Sequence, residues 1–153
     1  MLLALYGYML VKVILLKMQD WDPGYLWSRL LSGLLKPSLL FHWLETGNVV
    51  PFREITRSLH TLTDHAVLNL LGNVVLFMPL GILLGLIFNQ RGRVGLKIAF
   101  CGFFLSFSLE TAQLLFMIGQ FDVDDLLLNS LGGLLGYAMY RSMIRYLWTQ
   151  WAH

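Results

Sequence analysis

The sequence is poor in charged residues and almost devoid of cysteine. Only 13% of its 153 residues are Asp, Glu, Lys or Arg, whereas 57% are hydrophobic. A soluble domain typically carries about 25% charged residues, so this balance favours a membrane protein. The single cysteine, Cys101, excludes an intrachain disulfide and a cysteine-based metal framework. A net charge of +2 does not favour nucleic acid as a partner.

Acidic residues are missing from most of the second half of the chain. Between Asp64 and Asp122 the only acidic side chain is Glu110, which lies in the otherwise apolar segment Ile98–Ile118. A carboxylate at bilayer depth costs about 2.5 kcal/mol or more when ionised, and it usually faces a protein interior or an aqueous cavity. Glu110 is therefore the first candidate for a functional residue.

Apolar runs predict an all-α fold, a membrane bundle of about four transmembrane helices forming a single domain over residues 1–153. The predicted spans are about 1–18, 66–88, 98–118 and 125–145. Helices are expected because backbone groups in lipid must find their hydrogen-bond partners within the segment.

The remaining long segment, about 19–65, is rich in tryptophan, tyrosine and phenylalanine. This composition predicts a segment in the membrane interface, with Tyr25–Leu35 as an amphipathic helix. Two prolines, at Lys36-Pro37 and Val50-Pro51, divide it. We expect Pro51 and Phe52 to form part of an irregular turn, because proline biases the preceding residue toward extended geometry.

Basic residues set the predicted orientation. The loop Asn89–Lys97 carries two arginines and a lysine, and the segment after Tyr140 carries Arg141 and Arg145, whereas Gly119–Asp124 carries no basic residue. The positive-inside rule then places the basic loop and both termini in the cytoplasm, with four spans. The acidic loop and the interfacial segment are therefore expected on the outer face.

Polar residues inside the predicted spans recur at intervals of three and four, which places them on one face of each helix. At about 1.5 Å rise per residue they reach similar depths in the outer half of the membrane. We predict an outward-opening polar pocket whose candidate ligand-binding residues are Asn69, Asn73, Ser106, Glu110, Gln113, Asp122, Asp124, Asp125 and Asn129. Two simpler roles stay open: hydrogen-bonded struts between helices, and caps for the last helix provided by the aspartates.

Small residues on the second and fourth spans predict close helix packing. Gly81 and Gly85 form one small-xxx-small pair, and Gly132 and Gly136 form another, with Gly133 beside them. Pro79 is expected to kink the second span just below its asparagines and to free a backbone carbonyl, because proline cannot donate the helical hydrogen bond. Together with Pro51 and Phe52, these are the candidate structural residues.

Four blocks of sequence resemble the VanZ-like family of bacterial membrane proteins. They occur in the family's order and extend from Asn48 to about Arg141; they read NVVPF (48–52), NLLGNVVLFMPLG (69–81), SFSLETAQ (106–113) and FDVDDLLLNSLGG (121–133). One departure is visible. Many members carry an arginine just before the aspartate block, where this chain has Gly119-Gln120.

The resemblance implies a small multi-pass protein of the bacterial cell membrane. The family is named for a member that confers low-level resistance to teicoplanin, a glycopeptide with a fatty acyl chain that acts at the outer membrane surface. We therefore expect a contribution to glycopeptide resistance or envelope homeostasis. The expected partners are membrane lipids or lipid-linked envelope precursors, and neither a cofactor nor a metal is expected.

Three functional classes remain open at this point. The pocket favours binding or transport of a lipid or lipid-linked glycan. Glu110 with one of the aspartates also has the chemistry of a general acid and base, which would suit an intramembrane enzyme acting on a lipid-linked substrate, with His60 or His65 joining them. The glycine faces suit a structural partner of another membrane protein.

Overall fold

The structure, a computed structural model, describes residues 1–15, 22–88 and 93–151. Within these residues the chain forms seven α-helices and no β-strand, so the all-α prediction is confirmed. A short π-helical stretch, Val11–Leu15, continues the first helix. The helices are α1 (Leu2–Leu10), α2 (Pro23–Leu35), α3 (Pro37–Glu45), α4 (Arg53–Thr61), α5 (Asp64–Ile87), α6 (Val94–Leu115) and α7 (Val123–Trp151).

In the described part of the chain, two helices, α5 and α6, are long and apolar enough to cross a membrane. The predicted count of about four spans is therefore not confirmed. The apolar N-terminal helix, Leu2–Leu15, is shorter than these two. The predicted end of the first span, near residue 18, lies outside the described residues. Helix α7 has 29 residues, but polar side chains and glycines make it less apolar than α5 or α6.

The segment predicted to be interfacial forms three short helices, and the predicted amphipathic helix lies within α2. Asp22 caps α2 by accepting a hydrogen bond from the backbone N–H of Tyr25 at 3.2 Å, and Pro23 occupies the first turn. Lys36 separates α2 from α3 with φ −130° and ψ 80°, outside the helical region that a following proline disfavours. After α3, the chain turns through Pro51 and Phe52 into α4.

Arg29 attaches α2 and α3 to the end of α6. Its guanidinium lies over the rings of Tyr25 and Trp43, at 5.8 and 5.6 Å from their centroids. The same group donates a hydrogen bond of 2.5 Å to the carbonyl of Met117, which follows α6 in left-handed geometry with φ 50°. The contact places a partly buried cation against two aromatic rings, one on α2 and one on α3.

Helices α5 and α7 make the most extensive contact in the fold, and glycines allow it. A Cβ on Gly81 would collide with the carbonyl of Gly133, and one on Gly136 would collide with the carbonyl of Met78. Gly132 is packed in the same way against Val74. These backbones therefore touch directly, as small residues permit in membrane helices.

Helix α5 runs unbroken across Pro79. One turn earlier, the Leu76 carbonyl accepts a hydrogen bond of 2.6 Å from the Tyr6 hydroxyl, which ties α1 to the middle of α5. The apolar core lies between α1, α5 and α6 and consists of Leu10, Phe77, Leu80, Leu84, Val94, Ile98 and Leu109.

Each long helix also carries an exposed apolar stripe on its outer side. On α5 the stripe is Leu68, Leu71 and Val75, and on α6 it includes Phe100, Phe104 and Phe107. The spacing of three and four residues keeps each stripe on one face. Continuous exposed apolar surface of this kind suits contact with lipid chains.

The direct backbone contact between α5 and α7 predicts that a Gly→Ala substitution has different effects on stability at two positions. Gly136→Ala is expected to lower the free energy of unfolding by about 1–3 kcal/mol, because the added methyl group meets the backbone of α5. Gly72→Ala, where a Cβ meets nothing within 4 Å, is expected to be neutral or to stabilise by up to about 1 kcal/mol. Thermal unfolding in detergent measures both. A Gly136→Ala protein as stable as the parent contradicts the direct backbone contact.

Candidate functional site

A polar cavity of about 870 Å³ lies among α4, α5, α6 and the start of α7. Six of the predicted site residues line it: Asn69, Asn73, Glu110, Gln113, Asp122 and Asp125. Three others, Ser106, Asp124 and Asn129, are not part of its lining. The cavity also includes polar residues that were not predicted for the site, namely Glu45, Thr46, Asn48, Arg53, Glu54, Arg57 and Gln120.

Glu110 forms part of the buried floor of the cavity. Its side chain is only 3% exposed, and its Oε2 accepts a hydrogen bond of 2.9 Å from the backbone N–H of Asp122. That bond joins α6 to the loop before α7. Glu110 therefore both supports the loop and presents a carboxyl group at the cavity.

Amide side chains connect the cavity walls. The Asn73 Nδ2 on α5 donates a hydrogen bond to the Asp125 Oδ1 on α7. The Gln113 Nε2 on α6 donates to the carbonyl of Ile14 at 2.7 Å, which ties the π-helical stretch to α6. Asn69 is exposed one turn before Asn73 and lines the mouth of the cavity. These two hydrogen bonds hold the α5 wall against α7 and the α6 wall against the π-helical stretch.

Asp122 is the residue that caps the start of α7, and it also lines the cavity. Its Oδ1 accepts from the backbone N–H of Asp124 at 2.8 Å, which is a helix cap, and from the Asn48 Nδ2 at 2.9 Å. Burial raises the pKa of Asp122 above its ordinary range, and the carboxylates of Asp124 and Glu54 add to the rise. The two hydrogen bonds act in the opposite direction by favouring the charged form.

Asp124 has a structural position outside the cavity lining. The residue is 1% exposed, and its carboxylate accepts three backbone hydrogen bonds from Phe52, Glu54 and Ile55, at 2.5, 2.8 and 3.1 Å. These N–H groups belong to the N-cap residue and the first turn of α4, and the N-cap residue, Phe52, provides no side-chain hydrogen bond of its own. Asp124 therefore caps α4 from α7. The residue before α4, Phe52, has φ 67°.

Ser106 and Asn129 form a buried pair between α6 and α7. The Asn129 Nδ2 donates to the Ser106 Oγ at 2.7 Å, and the two residues are 2% and 0% exposed, respectively. The Asn129 Oδ1 is buried without a hydrogen-bond partner in the described residues. This pair has the geometry of a hydrogen-bonded contact between two helices, one of the simpler roles that the sequence pattern allows.

Asn48 is the main position that the sequence analysis left out of the site. Its backbone forms a short parallel bridge with the segment at Asp122, donating to the Phe121 carbonyl at 2.8 Å and accepting from the Val123 N–H at 2.9 Å. Its Oδ1 also accepts from the Val50 N–H at 3.2 Å. The NVVPF block contained this residue, but a contact between segments 74 residues apart has no local signal.

Two arginines supply positive charge to the cavity. Arg53 and Arg57 are one turn apart on α4, and both are exposed, in contrast to the buried Glu110. Arg57 lies 3.6 Å from the Glu54 carboxylate. Gly119 and Gln120, which stand where many members of the resembling family carry an arginine, line the same cavity. In this chain the guanidinium groups reach the cavity from α4.

Among the described residues, no three His, Cys, Asp or Glu side chains are grouped so as to hold a metal ion. His60 and His65, which were considered as additions to the site, are exposed and do not line the cavity.

The fold and cavity define a helical protein with two helices long and apolar enough to cross a membrane and a polar cavity between its helices. A family model described as VanZ/LLP1 matches residues 3–146, nearly the whole chain. The chain therefore belongs to the VanZ/LLP1 family, and the resemblance of its four sequence blocks is confirmed. Membership and the two apolar helices agree with a membrane location.

One curated relative is named Protein VanZ, from Enterococcus faecium. It is 38% identical over 71 residues, which are 46% of this chain and 43% of the relative. The match thus spans less than half the length of that protein. No solved structure matches the chain.

Because Asp124 caps α4, removing its charge is expected to destabilise the fold even when the size of the side chain is kept. Asp124→Asn keeps the size of the side chain but replaces one acceptor oxygen with a donor facing backbone N–H groups. We expect the free energy of unfolding to fall by about 1.5–3 kcal/mol, the scale of a charge-assisted hydrogen bond. Denaturant unfolding measures this, and proteolysis should become faster within Arg53–Thr61. An unchanged midpoint argues against the capping role.

The raised pKa of Asp122 predicts a pH dependence of stability. The fold disfavours the charged form, so the contribution of Asp122 to stability is fully present below its unfolded pKa. That contribution is lost as the pH rises through the higher folded pKa. The melting temperature of the parent should fall over this window more than that of Asp122→Asn, which retains the Oδ1 acceptor. Parallel curves for the two proteins contradict the assignment.

Proposed function

We propose that the chain contributes to low-level glycopeptide resistance of the teicoplanin type, or to envelope homeostasis, by binding a lipid-linked polar ligand in the cavity. The observation that carries the proposal is the convergence of Asn69, Asn73, Glu110 and Asp125 on one space of about 870 Å³. Such a volume is in the usual range for a small-molecule site.

The arrangement of charge favours a ligand with two chemically different parts. Carboxyl and amide groups, including Glu110 and Asn73, lie on the inner wall and can accept or donate hydrogen bonds to hydroxyl and amide groups. Arg53 and Arg57 lie on the exposed α4 and suit a phosphate, which guanidinium groups bind in a bidentate manner. A glycan joined to a lipid by phosphate has both parts.

The apolar exterior favours a ligand that arrives from the bilayer. Val13, Ile14 and Leu76 provide apolar lining beside the polar floor, and Trp43 lies at the end of α3. The exposed stripes of α5 and α6 lie on the same helices that carry Asn73 and Glu110. In the orientation favoured by the positive-inside rule the cavity opens to the outer leaflet, where teicoplanin-type drugs act.

An intramembrane enzyme is the alternative that the same residues support. The Glu110 Oε2 and the carboxylates of Asp122 and Asp125 share the cavity, and carboxyl groups in such a setting can exchange protons with a bound substrate. This reading differs from the proposal in one measurable respect, since an enzyme changes the ligand. A role as structural partner differs from both, because it needs no occupant in the cavity.

The test is Glu110→Gln in a glycopeptide-susceptible host that expresses the chain. Gln retains an oxygen that can accept from the Asp122 N–H, so folding is preserved while the charge is removed. We expect the gain in teicoplanin resistance to be lost. Lipids that copurify with the protein, identified by mass spectrometry, should include a phosphate-linked glycolipid whose amount falls at least several-fold in the variant.

Asp64→Asn is the matched control, since it removes one carboxylate from an exposed position in the first turn of α5 that does not line the cavity. This variant should retain resistance and copurified lipid. Full resistance in the Glu110→Gln variant contradicts the proposal. A chemically altered lipid that depends on Glu110 moves the assignment to the enzyme, and lost resistance with an empty cavity in both proteins favours the structural partner.

A further inference from the structure

A second cavity, of about 770 Å³, lies at the far end of α5 and α7. It is separated from the first one along α5, because Gly85 follows Asn73 by 12 residues, roughly 18 Å of helix. Its lining comes from the last turn of α5 and the second half of α7: Gly85, Leu86, Ile87, Phe88, Tyr140, Arg141, Ile144, Arg145 and Trp148. No function discussed so far uses these residues.

The charge of this cavity has one sign. Arg141, Arg145 and Trp148 are spaced by four and three residues, so they lie on one face of α7. The sequence contains no Asp or Glu after Asp125, and none between Asp64 and Glu110. Within the described residues neither arginine has an acidic partner, and both are exposed. Two guanidinium groups are therefore available at the end of an apolar helix pair.

The walls beside the arginines are apolar and aromatic. Leu86 and Ile87 are 59% and 58% exposed, and Phe88 lies beneath the Lys97 ammonium at 5.9 Å from the ring centroid. Gly85 leaves room for the Tyr140 ring, since a Cβ there would lie 2.6 Å from it. The cavity is thus open to the side of α5 that carries apolar residues.

We propose that this cavity binds the headgroup of an anionic phospholipid from the surrounding bilayer. Arg141 and Arg145 would hold the phosphate through charge-assisted hydrogen bonds. Leu86, Ile87 and Phe88 would contact the first part of the acyl chains. Basic pockets between membrane helices recognise acidic lipid headgroups by this combination of charge and apolar contact. A free phosphate would use the arginines but gain nothing from the apolar wall.

The experiment titrates the purified chain in detergent with phosphatidylglycerol, phosphatidylcholine or inorganic phosphate. Thermal unfolding follows stability, and native mass spectrometry counts bound lipid. The parent should be stabilised by phosphatidylglycerol and not by phosphatidylcholine or phosphate. Arg141→Gln/Arg145→Gln should weaken phosphatidylglycerol binding about tenfold or more, since one decade corresponds to about 1.4 kcal/mol.

Two further variants distinguish a specific binding site from nonspecific attraction by surface charge. Arg141→Lys/Arg145→Lys keeps the charge and should restore part of the binding. Arg93→Gln removes one charge from an exposed residue before α6 that does not line the cavity, and it should bind like the parent. Equal binding by the double Gln variant overturns the proposal, as does equal stabilisation by free phosphate. A loss in Arg93→Gln as large as in the double variant also overturns it.

Discussion

The carboxylate of Asp124 is the contact on which the cavity depends. It lies in the first turn of α7 and receives three backbone N–H groups from the start of α4. Burying a carboxylate is expensive unless such bonds replace its water, and here they do. The contact fixes the direction in which α4 leaves the turn at Phe52. Arg53 and Arg57 reach the cavity because of that direction, so a residue outside the lining determines where the site has its positive charge.

The polar residues on the inner faces of the helices have two kinds of surroundings: closed contacts between helices, and the open cavity. The pair of Ser106 and Asn129 is closed between α6 and α7 and serves packing. One turn along α6, the Glu110 Oε2 accepts a hydrogen bond from the loop before α7, and Glu110 lines the open cavity. The contact of Gly81, Gly132 and Gly136 closes the middle of the α5–α7 interface, between the polar cavity and the second cavity at the far end. The polar cavity lies at the end of the bundle where the loops before α4 and α7 meet.

The sequence predicted the helical class, the family and six of the residues that meet at the cavity, because helical spacing reports which side chains share a face. It could not separate the strut at Asn129 from the cavity wall at Asn73, since both follow the same periodicity. Capping by Asp124 was considered for α7, whereas the structure shows that it caps α4. Asn48 was not predicted as a site residue, because helical periodicity says nothing about contacts between distant segments.

The cap of α4 also has a consequence for the order in which the protein matures. Helix α4 has nine residues, which is too short to be stable alone, and its first turn relies on a carboxylate about 70 positions later in the chain. Synthesis proceeds from the N-terminus, so α4 leaves the ribosome long before Asp124 exists. The α4 side of the cavity can therefore form its cap only after the first turn of α7 has been made and has packed against α4.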